Sequence, residues 1–139
     1  MDQLKSTIEF PVRFSEVDSM QVVWHGHYVK FMEEGREDFG RKFGLSYMTI
    51  KANGYMAPVV KLVVDYKKAL SYDENVRVET IFVDADAAKI IYKFNIFRAS
   101  DGELVASGES IQVFLDMNFE LILTNPPFFE SWKKKMGLR

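Results

Sequence analysis

The chain has 139 residues, no cysteine and a formal net charge of -2 at pH 7. Its 47% hydrophobic and 14% aromatic residues can fill the core of one folded domain, which we expect over residues 1–139, and they exclude a disordered chain. The 18 basic residues do not outnumber the 20 acidic ones, so a nucleic-acid binder is not expected. The absence of cysteine excludes disulfides, thiol nucleophiles and cysteine-ligated metal sites.

The hydropathy pattern argues against export and against membrane insertion. No apolar run approaches the roughly 18–20 residues that a membrane-spanning helix needs. Charged residues near the N-terminus also interrupt any run that could serve as a signal peptide. The sequence therefore predicts a cytoplasmic protein without a membrane span.

The first third of the chain predicts a strand, a loop and a long helix. Residues 8–14 alternate between apolar and charged side chains, as a half-buried strand does. Segment 15–26 fits neither period and is predicted to be a loop. Residues 27–43 follow the helical period, and Gly44 supplies a stop. Gly35, on the apolar stripe, costs about 1 kcal/mol relative to Ala, so we expect another backbone to pack closely against it.

The remainder predicts four strands and a short terminal helix. Segments rich in Val, Ile, Phe and Tyr give the strands, at 59–67, 76–83, 89–98 and 104–116. The helix is expected to have Asn125 as its cap, Pro126 at its first position and Gly137 as its stop. Its basic run 133–135 is interpreted as solvent-exposed charge at a helix C-terminus.

This order predicts an α+β fold in which one long helix packs against a five-stranded antiparallel sheet. The helix can cover only one face of that sheet. The other face keeps more apolar residues than a solvated face needs: Val59, Val63, Ile81, Val83, Ile91 and Phe97. We therefore expect self-association to cover part of that face or the sheet edge.

The loop before the long helix concentrates the groups that could carry chemistry. It holds Asp18, Trp24 and His25, and the helix begins with His27 and Tyr28. A helix N-terminus offers unpaired N–H groups and a partial positive charge, and no acidic residue occupies the first turn here. Those N–H groups could hold a developing oxyanion while Asp18 activates water or attacks directly.

Structural roles are the alternatives for these residues. Asp18 could be a turn or cap residue, and His25 could be a donor at the edge of the core. His27 is interpreted as exposed and structural. Histidines two positions apart across a helix start do not share a face, so the sequence predicts no metal site, and it predicts no other cofactor.

The same stretch carries a family resemblance. The residues are Val12-Arg13-Phe14, Asp18, His25, Tyr28, Phe31-Met32-Glu33-Glu34-Gly35-Arg36 and, further on, the run from Val59 to Ala69. In these positions the chain resembles the 4-hydroxybenzoyl-CoA thioesterase family of hotdog-fold acyl-CoA thioesterases, and the resemblance extends over residues 8–116.

The resemblance implies a hotdog fold and hydrolysis of an acyl or aroyl thioester to free acid and CoA. Asp18 matches the family's catalytic carboxylate, a general base or nucleophile. His25 matches a histidine of some branches and is expected to be catalytic, and backbone N–H groups at the helix start polarise the carbonyl. The expected substrate-binding residues are Trp24, Gly26, Tyr28, Val59 and Lys89. The resemblance further implies a homodimer or homotetramer with its active sites at the dimer interface.

The chain departs from the family pattern at three places. Many members carry Asp at the position of Glu16 and Gly at that of Gln21. Members often contact the CoA nucleotide through a basic cluster where this chain has the acidic segment 84–88, followed by Lys89. An acyl-carrier-protein thioester is therefore kept as an alternative substrate to acyl-CoA.

Two other functions stay open on the sequence alone. A hotdog dehydratase or hydratase would use Asp18 and His25 to move a proton on the acyl chain. A non-catalytic acyl-binding module would use only the pocket.

Overall fold

A long helix lying across one face of an antiparallel sheet organises the protein. The structure is a computed structural model that describes residues 3–138. Its helices are α1 (His27–Phe43), α2 (Tyr47–Ala52) and α3 (Pro127–Lys135). Its strands are β1 (Lys5–Pro11), β2 (Tyr55–Met56), β3 (Val59–Tyr66), β4 (Asn75–Val83), β5 (Lys89–Arg98), β6 (Leu104–Asp116) and β7 (Leu121–Ile122). No described helix is both long enough and apolar enough to cross a membrane.

The five long strands form one sheet in the order β1-β4-β5-β6-β3, and every pair is antiparallel. This confirms the predicted α+β architecture. The described strands number seven because β2 and β7 pair with the end of β6. Each of these two strands has only two residues. A strand this short shows no alternation of apolar and polar side chains, so the sequence could not predict it.

Helix α1 has the predicted bounds because two sequence signals agree. Its apolar stripe is buried against the sheet, and its charged residues lie on the other faces. The buried members of the stripe are Tyr28, Phe31, Met32, Gly35 and Phe39. Gly44 ends the helix with a φ of 77°, a left-handed conformation that a residue without a Cβ adopts at little cost.

The close approach at Gly35 comes from side chains, which corrects the expectation of a neighbouring backbone. A Cβ at Gly35 would lie 2.8 Å from Cγ1 of Val78, and it would also meet the hydroxyl of Thr80. Both residues are on β4 and fully buried. The glycine therefore lets α1 settle onto the middle of the sheet.

Three other local predictions differ from the structure. Strand β1 ends at Pro11, and Phe14–Glu16 forms a 3-10 turn in place of the end of the predicted strand. Helix α2 has six residues, which is too short for the helical period to be recognised in the sequence. Helix α3 starts at Pro127, and the Asn125 side chain donates to Oε1 of Glu130 at 2.7 Å instead of capping a backbone N–H.

The interpretation of the basic run as solvent-exposed is wrong for Lys133. Its side chain is 0% exposed, and its Nζ lies 2.9 Å from Oδ1 of Asp84 and donates to the carbonyl of Ala85 at 2.7 Å. The amine also lies 4.7 Å from the centre of the Phe129 ring. A buried amine needs such partners, so the acidic turn after β4 anchors α3.

The apolar residues assigned to the second face of the sheet do not all lie there. Val63 is exposed, and Ile81, Val83, Ile91 and Phe97 are half-buried, as expected. Val59 differs, because β3 shifts register between Val59 and Lys61. Val59 consequently pairs with Gln112, whose buried side chain lies on the α1 side of the sheet.

The packing at Gly35 yields a stability prediction. Gly35→Ala is expected to lower the free energy of unfolding by about 1–3 kcal/mol through overpacking, although Ala is the better helix former. Chemical denaturation would measure the change. Exposed Glu34→Ala is the control, with a change within about 0.5 kcal/mol. A Gly35→Ala protein more stable than wild type would contradict the packing described here.

Candidate active site

The loop before α1 folds back on itself as a tight hairpin. The amide of Asp18 donates to the carbonyl of Val22 at 2.9 Å, and the amide of Trp24 donates to that of Glu16 at 3.0 Å. Gln21 closes the turn with a φ of 64°, a conformation that favours glycine. Many members of the family that the chain resembles have Gly at this position. Gln21 adopts the same left-handed conformation, so replacement of Gly by Gln does not change the turn.

Glu16 attaches this hairpin to α1. Its side chain is 1% exposed, accepts the Arg13 amide at 2.6 Å and pairs with Nζ of Lys30 at 3.1 Å. A buried carboxylate is tolerated only with such partners. Sequence reasoning noted Glu16 as a departure from the family and missed this role, because the partner lies fourteen positions away.

Asp18 lies in the turn of the hairpin and is half-buried. Its Oδ1 accepts the amide of Met20 at 2.8 Å, so the predicted alternative of a turn residue describes part of its role. Its Oδ2 makes no hydrogen bond with residues 3–138. Within the same range no hydrogen bond or ion pair joins Asp18 to His25.

The start of α1 presents unpaired backbone donors. The N-cap is Gly26, and the first turn contains no acidic side chain. The amides of His25 and Gly26 donate to no acceptor within the described range. The hydroxyl of Tyr66, at the end of β3, donates to the carbonyl of His25 at 2.8 Å and so holds this turn in place. Such an arrangement can bind an anion or a polarised carbonyl oxygen.

Aromatic rings surround this helix start. Trp24 is 48% exposed, and its ring centre lies 4.8 Å from that of His25 and 5.4 Å from that of His27. The ring also covers Gly26, where a Cβ would come within 2.7 Å of Cε3. A Cβ at position 26 would therefore displace the Trp24 ring from this position.

Tyr28 supports the site from beneath. It is 3% exposed, and its ring packs edge-on against Tyr66 at 5.2 Å and Phe31 at 5.7 Å. Burial raises the pKa of the Tyr28 hydroxyl to about 12, so the side chain is uncharged at neutral pH.

Val59 and Lys89 lie far from the helix start within one chain. Tyr66 pairs with Ala106, which pairs with Ile96. Lys89 is seven residues from Ile96, and Val59 is seven from Tyr66, so each lies about 23 Å away along its strand. The structure thus brings Asp18, Trp24, His25, Gly26 and Tyr28 into one region of the chain and leaves these two residues outside it.

Val59 instead lines a cavity of about 330 Å³ between the middle of α1 and the sheet. Its other lining residues include Glu33, Arg36, Tyr55, Tyr92 and Gln112. Sequence reasoning missed this cavity because its lining residues come from six separate elements. Elsewhere, no group of three His, Cys, Asp or Glu side chains in the described part of the chain could hold a metal ion.

Comparison with known families identifies the fold and the enzyme class. Residues 12–132 match the thioesterase-like superfamily. The chain belongs to this superfamily. The expected hotdog fold and thioester-hydrolase class are confirmed.

Named relatives agree with this assignment. YneP of Bacillus subtilis, named as a candidate acyl-CoA thioesterase, is 33% identical over 108 residues, which are 78% of each chain. The acyl-CoA thioesterase YbgC of Haemophilus influenzae is 31% identical over 98 residues, 68% of this chain and 72% of the relative. The structure of a DHNA-CoA thioesterase from Staphylococcus aureus superimposes with a TM-score of 0.83 at 32% identity, covering 96% of this chain and 92% of that one.

The buried carboxylate yields a second stability prediction. Glu16→Ala is expected to lower the free energy of unfolding by about 2–4 kcal/mol, because it removes the acceptor of the Arg13 amide and the partner of Lys30. Thermal and chemical denaturation would measure the loss. Glu103→Ala breaks an exposed ion pair with Lys68 and serves as the control, with a loss of at most about 1 kcal/mol. Equal losses would mean that Glu16 contributes no more than a surface charge.

Proposed function

We propose that this chain hydrolyses an acyl-CoA thioester, aliphatic or aromatic, to the free acid and CoA at the start of α1. The proposal depends on one observation. The amides of His25 and Gly26 and the Oδ2 atom of Asp18, all without a hydrogen bond to residues 3–138, belong to one hairpin and helix start. Membership of the thioesterase-like superfamily and the names of its relatives support the same reaction.

The proposed reaction begins with the thioester oxygen at these amides. Oδ2 of Asp18 takes a proton from water as the water oxygen attacks the carbonyl carbon, and the amides hold the resulting oxyanion. Collapse of the intermediate breaks the C–S bond, and the sulfur leaves and takes up a proton. In the other version Asp18 itself attacks, and water then hydrolyses the mixed anhydride. Either route consumes one water and yields one acid and one thiol.

A thiolate leaving group explains why so few residues suffice. Thiols have pKa values near 8.5, so a thiolate leaves without a strong general acid. The exposed ring of His25 is proposed to position the water or the substrate. Trp24 is proposed to contact the acyl group near the carbonyl. Tyr28 is proposed to line the same pocket from beneath. Lys89 is proposed to meet the CoA nucleotide from a partner protomer, because it lies too far away within its own chain.

A dehydratase mechanism receives less support. It would need Asp18 and His25 to act as a pair on the acyl chain, and no hydrogen bond joins them within the described residues.

We further propose a homodimer formed through strand β3. This strand lies at the edge of the sheet and is exposed over nearly its whole length. Its exposed apolar residues are Val59, Val60, Leu62, Val63 and Tyr66. An apolar edge with unpaired backbone groups favours pairing with another strand, and a second copy of β3 offers the same surface.

Asp18→Asn tests the proposed chemistry. The amide keeps the acceptor for Met20, so the fold should survive, but it can neither take a proton from water nor attack the thioester. We expect kcat to fall about 10²–10⁴-fold in a thiol-release assay with acyl-CoAs of graded length, while the melting temperature is retained. Asp73→Asn, at an exposed turn, is the matched control. Near-normal turnover of a folded Asp18→Asn protein would reduce Asp18 to a turn residue.

Val63→Lys tests the dimer. A charged side chain at the exposed edge opposes strand pairing, so sedimentation velocity at micromolar concentration should change from dimer to monomer. Leu123→Lys changes an exposed leucine away from β3 and should leave the dimer intact. Wild-type protein that sediments as a monomer at this concentration would rule out the proposed assembly.

A further inference from the structure

The backbone amide of Gly26 belongs to the same peptide unit as the carbonyl of His25. That carbonyl accepts the Tyr66 hydroxyl at 2.8 Å and the Tyr28 amide at 3.4 Å. The second distance exceeds the usual range of about 2.7–3.2 Å for an N–H···O bond, so Tyr66 is the main partner of the carbonyl. The amide of the unit has no acceptor within residues 3–138. A side chain therefore holds the peptide unit whose N–H can bind a substrate.

The hydroxyl of Tyr66 acts on the Gly26 amide from behind. The unit is trans, and a trans peptide unit is planar with its C=O and N–H pointing in opposite directions. Fixing the carbonyl therefore fixes the direction of the N–H. A donor at the carbonyl oxygen also polarises the unit, and hydrogen bonds in series strengthen each other by about 10–30%. The bond from Tyr66 makes the Gly26 amide both a better aimed and a stronger donor.

The sheet fixes the position of the Tyr66 ring. Tyr66 is the last residue of β3, and the two amides that follow it, of Lys67 and Lys68, both donate to the carbonyl of Val105, at 2.9 Å and 3.0 Å. The ring is 49% exposed and packs edge-on against the buried Tyr28, with ring centres 5.2 Å apart. None of these contacts uses the hydroxyl. A phenylalanine in this position would keep all of them.

The other donor, the amide of His25, has no comparable support. It shares its peptide unit with the carbonyl of Trp24, which accepts the His27 amide at 2.9 Å. This bond lies within the same turn, so it does not attach the unit to the sheet. No side chain among residues 3–138 donates to this carbonyl. Of the two donors, the Gly26 amide is therefore the one that the sheet positions.

We propose that Tyr66 is a positioning residue for thioester hydrolysis and that it acts through the peptide unit of His25 and Gly26. The inference rests on the proposed hydrolysis at the start of α1. The thioester oxygen carries little charge in the bound substrate and a full negative charge in the tetrahedral intermediate. A better aimed donor consequently stabilises the transition state more than it stabilises the bound substrate. Loss of the Tyr66 hydroxyl should therefore lower kcat and leave KM nearly unchanged.

Tyr66→Phe removes the hydroxyl and keeps the ring. One donor to an oxyanion contributes about 10²–10³ in kcat, and this variant weakens a donor without removing it, so we expect kcat to fall about 5–20-fold. KM for the same acyl-CoA should change less than about twofold. Tyr47→Phe, which changes a 61% exposed tyrosine at the start of α2, is the control and should keep wild-type kcat. An unchanged kcat in Tyr66→Phe overturns the inference. A higher KM at wild-type kcat also overturns it, because the hydroxyl would then bind substrate directly.

The carbonyl stretch of a bound thioester separates positioning from a merely structural role. The probes are octanoyl-CoA and benzoyl-CoA, isotopically labelled at the thioester carbonyl and bound to Asp18→Asn protein so that turnover is slow. A hydrogen-bond donor polarises the carbonyl and lowers its stretching frequency in infrared difference spectra. We expect a smaller shift when Tyr66→Phe is added to Asp18→Asn, and an equal shift overturns the inference.

The same spectra distinguish failure of this inference from failure of the proposed hydrolysis. Absence of thiol release from every acyl-CoA with wild-type protein overturns the proposed hydrolysis. A carbonyl shift that Tyr66→Phe reduces would then still support Tyr66 as the residue that aims the Gly26 amide. Absence of any shift would overturn this inference as well.

Discussion

The buried carboxylate of Glu16, held by the Arg13 amide and by the partly exposed Lys30, is the group on which the candidate site depends. A loop of a dozen residues has many conformations, and fixing each residue costs about 1–2 kcal/mol of conformational entropy. Val23 and Val17 offset part of this cost by packing on the core, but the turn around Asp18 lies outside it. A desolvated carboxylate that holds both the Arg13 amide and Lys30 gives the loop one attachment to α1, and this attachment determines where Asp18 lies relative to Gly26.

The sheet supplies the second attachment of the site. The Tyr66 hydroxyl, at the end of β3, donates to the carbonyl of His25. The exposed edge strand therefore helps to fix the backbone at the start of α1. Any partner that orders β3 also orders this turn. The proposed dimer would therefore do more than cover an apolar edge, because it would stiffen the backbone donors proposed to hold the oxyanion.

The sequence predicted the elements whose signals are local and repeated. Helix α1 has an apolar stripe and a glycine stop, and β5 alternates over ten residues, so both were found with the right bounds. The hairpin at Glu16, the register shift after Val59 and the burial of Lys133 were missed because each depends on a distant partner. The same holds for the cavity. Clustering of Asp18 and His25 near a helix start was visible, but whether they touch is decided by the turn at Gln21.

The burial of Lys133 makes the packing of α3 depend on the turn between β4 and β5. An amine gives up its water only where acceptors are already in place, and these acceptors belong to the turn that joins β4 to β5. That turn is set when the two strands pair. Helix α3 also donates from Trp132 to the last carbonyl of α1 at 2.6 Å, so it has partners on both the helix and the sheet. Phe129 and Trp132 belong to the core, so loss of the C-terminal segment would expose the core to water.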